Sequence, residues 1–306
     1  MTDRPRITAT VITLNEEKRL AACLESLAWA DAVIVVDSGS TDRTTSIAKE
    51  HGAQVHFHAW EGFSPQKNFA ISLATGDWVL HLDADERVTP ELREEIQKVV
   101  AAADPAIDGF YLPRLNHWLG HPIRHSGWYP DHTLRLFRRG RARCEGIAHE
   151  RFIVDGRTEL LRSPLVHYSY SSVREHVVGI LAATTLEVDD AMGKGVRIYK
   201  TFPWSLIAPF VREVVLHPLD QLRARTFFKT RVRNRVEVLW LVPFIPPMRF
   251  FYNFVVRQGF RDGIPGFWIA VLSAYYEAVR LALLWERLRR PGDDVDSDDL
   301  RRSSRL

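Results

Sequence analysis

Three short runs rich in β-branched and apolar residues, Ile7 to Ile12, Val33 to Val36 and Trp78 to Leu82, each give way abruptly to polar or acidic residues. A run without charged residues that is apolar at most positions is what a strand covered on both faces requires. Between the first two runs, Leu20, Leu24 and Leu27 recur at helical spacing. After the second, Ser38-Gly39-Ser40-Thr41-Asp42 can turn the chain and cap a helix carrying Ile47 and Ala48, and a short strand is expected near Val55 to Phe57. Ser64-Pro65 and Thr89-Pro90 each place a capping residue before a proline at the first helical position, which predicts two further helices. Strand and helix therefore alternate. The expected fold is α/β, with a mostly parallel sheet and helices on both faces.

Ligands of such sheets bind at the carboxyl ends of the strands. Asn15 and Glu16 after the first strand, Asp37 after the second, and Asp83 and Asp85 after the Trp78 strand should therefore converge on one crevice. Neither a G-x-G-x-x-G turn nor a G-x-x-x-x-G-K-[ST] loop is present to cradle phosphates. A hard divalent cation shared between carboxylates and substrate phosphates is the alternative, and Asp83-Ala84-Asp85 could supply its oxygens. A D-x-D tripeptide standing alone is as often a solvated turn; here it follows an apolar strand, with Asp37 on a neighbouring strand end.

The ordered series T-x-x-T-L-N-E-E at Thr10 to Glu17, V-V-D-S-G-S-T-D-R-T at Val35 to Thr44, Q-K-N at Gln66 to Asn68 and G-D-W-V-L-H-L-D-A-D-E at Gly76 to Glu86 resembles glycosyltransferase family 2, which has the GT-A fold. Trp128-Tyr129-Pro130-Asp131, Arg135-Leu136-Phe137, His149-Glu150 and Gln258 to Gly263 are similar to the branch of lipopolysaccharide core glucosyltransferases. The resemblance implies that Thr13, Asn15 and Glu16 line the nucleotide and that Asp37 accepts hydrogen bonds from base or ribose. It implies that Lys67 and Asn68 lie near the donor, that Asp83 contacts ribose or metal, and that Asp85 is the main ligand of Mg2+ or Mn2+. Family members invert configuration, so one base must deprotonate the acceptor hydroxyl. Glu150 is the first candidate and Asp131 the second; a surface ion pair with Arg151 and a turn cap after Pro130 are the respective alternatives.

The implied reaction moves a hexose from a nucleotide-diphosphate sugar, with UDP-hexose favoured, to a lipid-linked envelope glycan such as lipopolysaccharide core. A polyprenyl-phosphate acceptor, and a non-catalytic sugar-nucleotide-binding protein at the membrane, stay open. The expected layout is a catalytic domain over residues 1–172, a helical acceptor and membrane-interface region over 173–290 and a disordered charged tail over 291–306.

Two cysteines, Cys23 and Cys144, fit a reducing compartment, and the short apolar run after the amino terminus does not resemble a secretory signal. Gly263 to Tyr276 is the longest apolar stretch, and Glu277 and Arg280 are read as ending it short of the roughly 18 to 20 residues a membrane span needs. Two basic clusters, one from Arg135 to Arg143 and one from Arg223 to Arg235, read first as solvated faces. The second leads into aromatic sequence, a pattern that favours an anionic membrane surface, whereas no nucleic-acid motif accompanies the arginines. The expected location is the cytoplasm, with the chain bound peripherally to the inner face of the cell membrane.

Overall fold

The structure, a computed structural model, describes residues 4–102, 104–146, 150–193 and 241–289. The chain divides into two compact units. One comprises Met1–His117 with Pro130–Ser169, and the other Trp118–Tyr129 with Tyr170–Leu306.

In the first unit, β1 (Ile7–Thr13) pairs in parallel with β2 (Ala32–Asp37) on one side and β4 (Trp78–Asp83) on the other, and β3 (Gln54–Phe57) extends β2. Helices α1 (Leu20–Leu27), α2 (Thr44–Glu50) and α3 (Phe63–Ser72) make the crossovers that parallel pairing demands. The order reverses at β1, because β2 and β3 lie to one side and β4 to the other. That reversal opens the crevice in which ligands of such sheets sit.

The sheet does not stay parallel. After β5 (Glu86–Val88) and α4 (Pro90–Ala102), β6 (Ile107–Trp118) and β8 (Asp131–Arg138) run antiparallel to each other, and β8 runs antiparallel to β4. The sheet order is β3-β2-β1-β4-β8-β6-β12-β5, with β12 (Leu165–Tyr170) antiparallel to β5. The expectation of a mostly parallel sheet is thus corrected to a mixed sheet. The first four strands are joined by covering helices and pair in parallel; β8 and β12 then enter antiparallel to β4 and β5, while β11 (Arg157–Leu160) lies parallel to β6. A separate two-stranded ribbon joins β9 (Ala142–Glu145) to β10 (Arg151–Val154).

Hydrogen bonds outside the helices set where two of them start. α1 begins only at Leu20, because the amides of Glu16 and Glu17 are turned toward Thr44 Oγ1 and Asp42 Oδ2. α3 begins at Phe63 after Gly62, whose φ of 115° suits glycine, and the Ser64 hydroxyl donates to the Gly146 carbonyl. At α4 the reading holds, since Leu92 N–H donates to Thr89 Oγ1 at 3.1 Å. The main core packs Leu20, Leu24 and Leu27 with Trp78, Leu80, Leu92, Ile96 and their neighbours. Gly76 lets the chain approach β1, since a Cβ there would lie 2.7 Å from the Arg6 carbonyl oxygen.

The second unit contains β7 (His121–Pro122), α5 (Val173–Gly193), α6 (Ile245–Phe251), a π-helical turn (Tyr252–Val256), a 3-10 turn (Gly259–Asp262) and α7 (Gly263–Arg289). Val188, Ile245, Tyr252, Leu281 and Leu284 form one of its cores, and Trp118, Ile123, Ile180, Ile269 and Leu272 form another. Glu277 and Arg280 do not end the apolar helix as expected. They are buried inside it as a pair, with Arg280 Nη2 2.6 Å from Glu277 Oε2, and α7 continues to Arg289. By length and composition it could cross a membrane. The Arg223 to Arg235 cluster, His149 and the tail expected over 291–306 lie outside the described residues.

Candidate active site

The parallel register sets the site. Thr13 at the end of β1 lies opposite Asp37 at the end of β2, and Ile12 lies opposite Asp83 at the end of β4. The loops beyond β1 and β2 are laced together. Asn15 N–H donates to Ser40 Oγ at 2.8 Å, and Thr41 N–H donates to Asn15 Oδ1 at 2.9 Å. Asn15 adopts a left-handed φ of 56°, which asparagine tolerates better than most residues. The T-L-N-E-E and D-S-G-S-T-D segments are therefore partners in one wall. Asp37, buried, accepts from Thr13 Oγ1, from the amides of Gly39 and Ser40 and from Ser40 Oγ. Its carboxylate is engaged in holding this turn.

The centre of the site is a chain of alternating charges. Glu150 Oε1 lies 3.4 Å from Lys67 Nζ, which lies 3.1 Å from Asp83 Oδ1. Arg135 Nη2 donates to Asp83 Oδ2 at 2.5 Å and to Glu86 Oε1 at 2.8 Å. Arg114 lies 3.4 Å from the same Glu86 oxygen and grips Asp131 beyond it. Glu86 also accepts the Asp83 amide at 3.0 Å and is wholly buried. Burial alone would raise the Asp83 carboxyl, but Arg135 and Lys67 outweigh it and hold the group well below the usual carboxylate range. Burial by itself would weaken the Arg135 cation; Asp83 and Glu86 reverse that and keep it charged. Below the chain, His81 is fully buried and pushed down to about 4 by burial, with Lys67 and Arg135 adding to the effect. It is neutral at pH 7, with Nδ1 3.0 Å from Thr10 Oγ1 and Nε2 3.7 Å from Asp83 Oδ1, an electrostatic contact rather than a hydrogen bond.

Asp85 stands apart from these cations. Its Oδ2 lies 3.3 Å from His167 Nε2, and the histidine outweighs the effect of burial to lower the carboxyl. His167 Nδ1 lies 2.6 Å from Asn116 Oδ1, to which it donates. With that proton committed, the contact of Nε2 with Asp85 is attractive only with a second proton or a cation between the two atoms. A carboxylate oxygen and an imidazole nitrogen at this spacing fit a divalent ion. No cluster of three or more protein ligands occurs among the described residues. An ion here would therefore take its remaining oxygens from diphosphate and water, as Mg2+ commonly does.

Of the residues expected from sequence, Thr13, Asp37, Lys67, Asp83 and Glu150 are brought together, with Asp85 next to them through the β4–β5 turn. Asn68 is turned elsewhere: its Nδ2 donates to the Cys144 carbonyl at 2.9 Å and its Oδ1 accepts the Cys144 amide at 2.8 Å. Asp131 is joined to the chain of charges through Arg114. Reading the arginines from Arg135 to Arg143 as a solvated face fails for Arg135, which is buried at the centre of the site. Sequence patterning does not mark Arg114 or His167, and Arg135, His81 and Glu86 stand out only as members of the Arg135-Leu136-Phe137 and Gly76 to Glu86 motifs.

Residues 8–154 match the sequence profile of Glycosyl transferase family 2. An uncharacterized glycosyltransferase of Rickettsia typhi is 46% identical over 96% of this chain and 91% of its own length. The lipopolysaccharide core biosynthesis glycosyltransferase LpsC of Rhizobium meliloti is 31% identical over 63% of this chain and 75% of its own. Among solved structures, the mannosyltransferase PcManGT of Pyrobaculum calidifontis, in complex with GDP-Man and Mn2+, superposes with a TM-score of 0.51 at 17% identity, covering 94% of this chain and 89% of that one. Strands, laced loops and matched profile agree that the chain belongs to glycosyl transferase family 2, with a GT-A-like fold.

Proposed function

We propose that the protein is an inverting hexosyltransferase that uses a nucleotide-diphosphate sugar, UDP-hexose by preference, and a lipid-linked envelope glycan acceptor such as lipopolysaccharide core, at the inner face of the cell membrane. The observation that carries the reading is the meeting of Asp83 and Glu150 on the single ammonium of Lys67, next to the Asp85 and His167 pair. One end of this arrangement suits a nucleoside diphosphate and the other suits an acceptor hydroxyl. The name of the Rhizobium meliloti relative supports the class of acceptor.

The contacts support the following roles. The loop wall of Thr13, Asn15 and Glu16, held by Asp37, borders the nucleoside, and Asp83 is oriented for the ribose by Arg135 and Lys67. Asp85, with His167, would hold Mg2+ or Mn2+. Such an ion stabilises the negative charge that grows on the leaving diphosphate, a contribution worth several kcal/mol. Glu150 takes the proton of the acceptor hydroxyl. It touches only Lys67 among the contacts described and keeps lone pairs for that proton, whereas Asp131 is held by two guanidinium hydrogen bonds. Asn68 contributes by fixing β9 against α3.

The test is a screen of nucleotide sugars with Mg2+ or Mn2+ and a lipid-linked glycan extract, read as release of nucleoside diphosphate. Release with one donor and incorporation of its hexose into the glycan supports the reading. Donor binding by calorimetry with no release in any acceptor mixture would instead identify a sugar-nucleotide-binding protein.

A further inference from the structure

The second unit displays an aromatic corner. Phe251, Val255, Phe260, Ile264, Phe267 and Trp268 are all exposed, and Ile264 is 75% accessible. Beside them Phe254 stacks on Phe250 with ring centroids 5.4 Å apart and meets Phe267 edge-on at 5.8 Å. An apolar surface of this kind is costly in water and marks a site of association.

The corner is built on a locked scaffold. A Cβ on Gly266 would lie 1.9 Å from the Gly259 carbonyl oxygen, so the 3-10 turn and the start of α7 approach as closely as only glycine permits. Asp262 accepts the amides of Arg124 and His125, at 3.2 and 2.9 Å, and lies 2.7 Å from His125 Nδ1. The aromatic side chains are therefore presented in a fixed arrangement.

Charge decides what covers it. Between Leu241 and Trp268 the sequence carries three arginines, Arg249, Arg257 and Arg261, and one acid, Asp262, whose carboxylate is engaged as above. Aromatic side chains interleaved with arginine suit the boundary between headgroups and acyl chains of an anionic bilayer. Within α7, Glu277 and Arg280 are buried against each other, and Leu281 and Leu284 pack with Val188 and Ile245. That half of the helix is part of a protein core.

We propose that this aromatic corner docks on an anionic lipid bilayer, entering the headgroup boundary without α7 crossing the membrane, a proposal that rests on the reading of a lipid-linked acceptor. The test uses the full chain and vesicles of phosphatidylcholine with or without phosphatidylglycerol, containing no glycan acceptor. Sedimentation with the anionic vesicles is expected. The triple variant Phe260→Ser, Ile264→Ser, Trp268→Ser should lower partitioning at least tenfold, roughly, with its melting temperature unchanged. Cys23 and Cys144 are buried, so a fluorophore on Ile264→Cys labels one place, and its emission should shift to the blue on anionic vesicles only. Unchanged partitioning of the triple variant, a label blind to vesicles that bind the protein, or retention of the wild-type chain in alkaline carbonate would each overturn the proposal. Docking on bare vesicles without hexose transfer to any lipid-linked glycan would leave docking in place and refute the acceptor reading.

Discussion

Arg114 holds Asp131 by two hydrogen bonds, from Nε at 3.1 Å and from Nη2 at 2.5 Å. These two bonds occupy lone pairs that a base would need for the incoming proton. Glu150 makes a single, longer contact with Lys67. Glu150→Gln is expected to lower kcat by about 10²- to 10⁴-fold with donor affinity retained, the range general-base catalysis supplies. Asp131→Asn should cost less than about tenfold. Steady-state kinetics with calorimetric donor binding would show it, and the reverse ranking would make Asp131 the base.

Glu86 is the hub that both arginines share. Glu86→Gln removes one charge from a buried network and leaves Arg135 facing Asp83 alone. Stability should fall by about 3–5 kcal/mol, as when one partner of a buried pair is lost. Urea denaturation measures this; a loss below about 1 kcal/mol would show that Arg135 relaxes into water or onto Asp83 without cost.

Asn68→Ala separates two roles for one side chain. Its amide makes a reciprocal clip with the Cys144 backbone, so the variant should lose about 1–3 kcal/mol of stability while donor affinity changes little. A variant of normal melting temperature that no longer binds donor would mean that Asn68 contacts the donor directly.

His176 gives the fold an acid sensitivity. It is buried, pushed down to about 4 by that burial, and Nδ1 accepts the Trp118 indole N–H at 3.0 Å while Tyr170 stacks on the ring. Only the neutral ring can accept that bond. Its folded value lies below the ordinary 6.5, so the unfolded chain takes up a proton the folded chain refuses. Stability is full above about pH 6.5 and should fall by about 2–3 kcal/mol as pH drops toward 4. His176→Phe should flatten this part of the pH profile of unfolding; an equal slope in the variant would assign it to other groups.

The parallel half of the fold and the identity of the carboxyl-end residues were legible because apolar runs and helical spacing are local signals. The antiparallel half was not, since the pairing of β8 between β4 and β6 is decided by contacts far apart in sequence. The same holds for the charge network. Arg135 looks like its exposed neighbours Arg141 and Arg143 until β8 places it against Asp83 and Glu86. His167 sits in an unremarked strand, and only the approach of β12 to β5 brings it to Asp85. Glu277 and Arg280 misled in the opposite sense: two charges three residues apart can satisfy each other inside a helix, so they need not end it.

Asp85 tests the account of the site most directly, because it is the carboxylate there that pairs with a histidine and is proposed to hold the cation. The measurement is transfer of labelled hexose from UDP-hexose to a lipid-linked glycan extract, with and without Mg2+ or Mn2+, by the wild-type chain and by Asp85→Ala. The expected result is cation-dependent transfer by the wild-type chain and a loss of at least about a hundredfold in a variant that melts normally. Undiminished transfer by Asp85→Ala, or transfer indifferent to the cation, would contradict it.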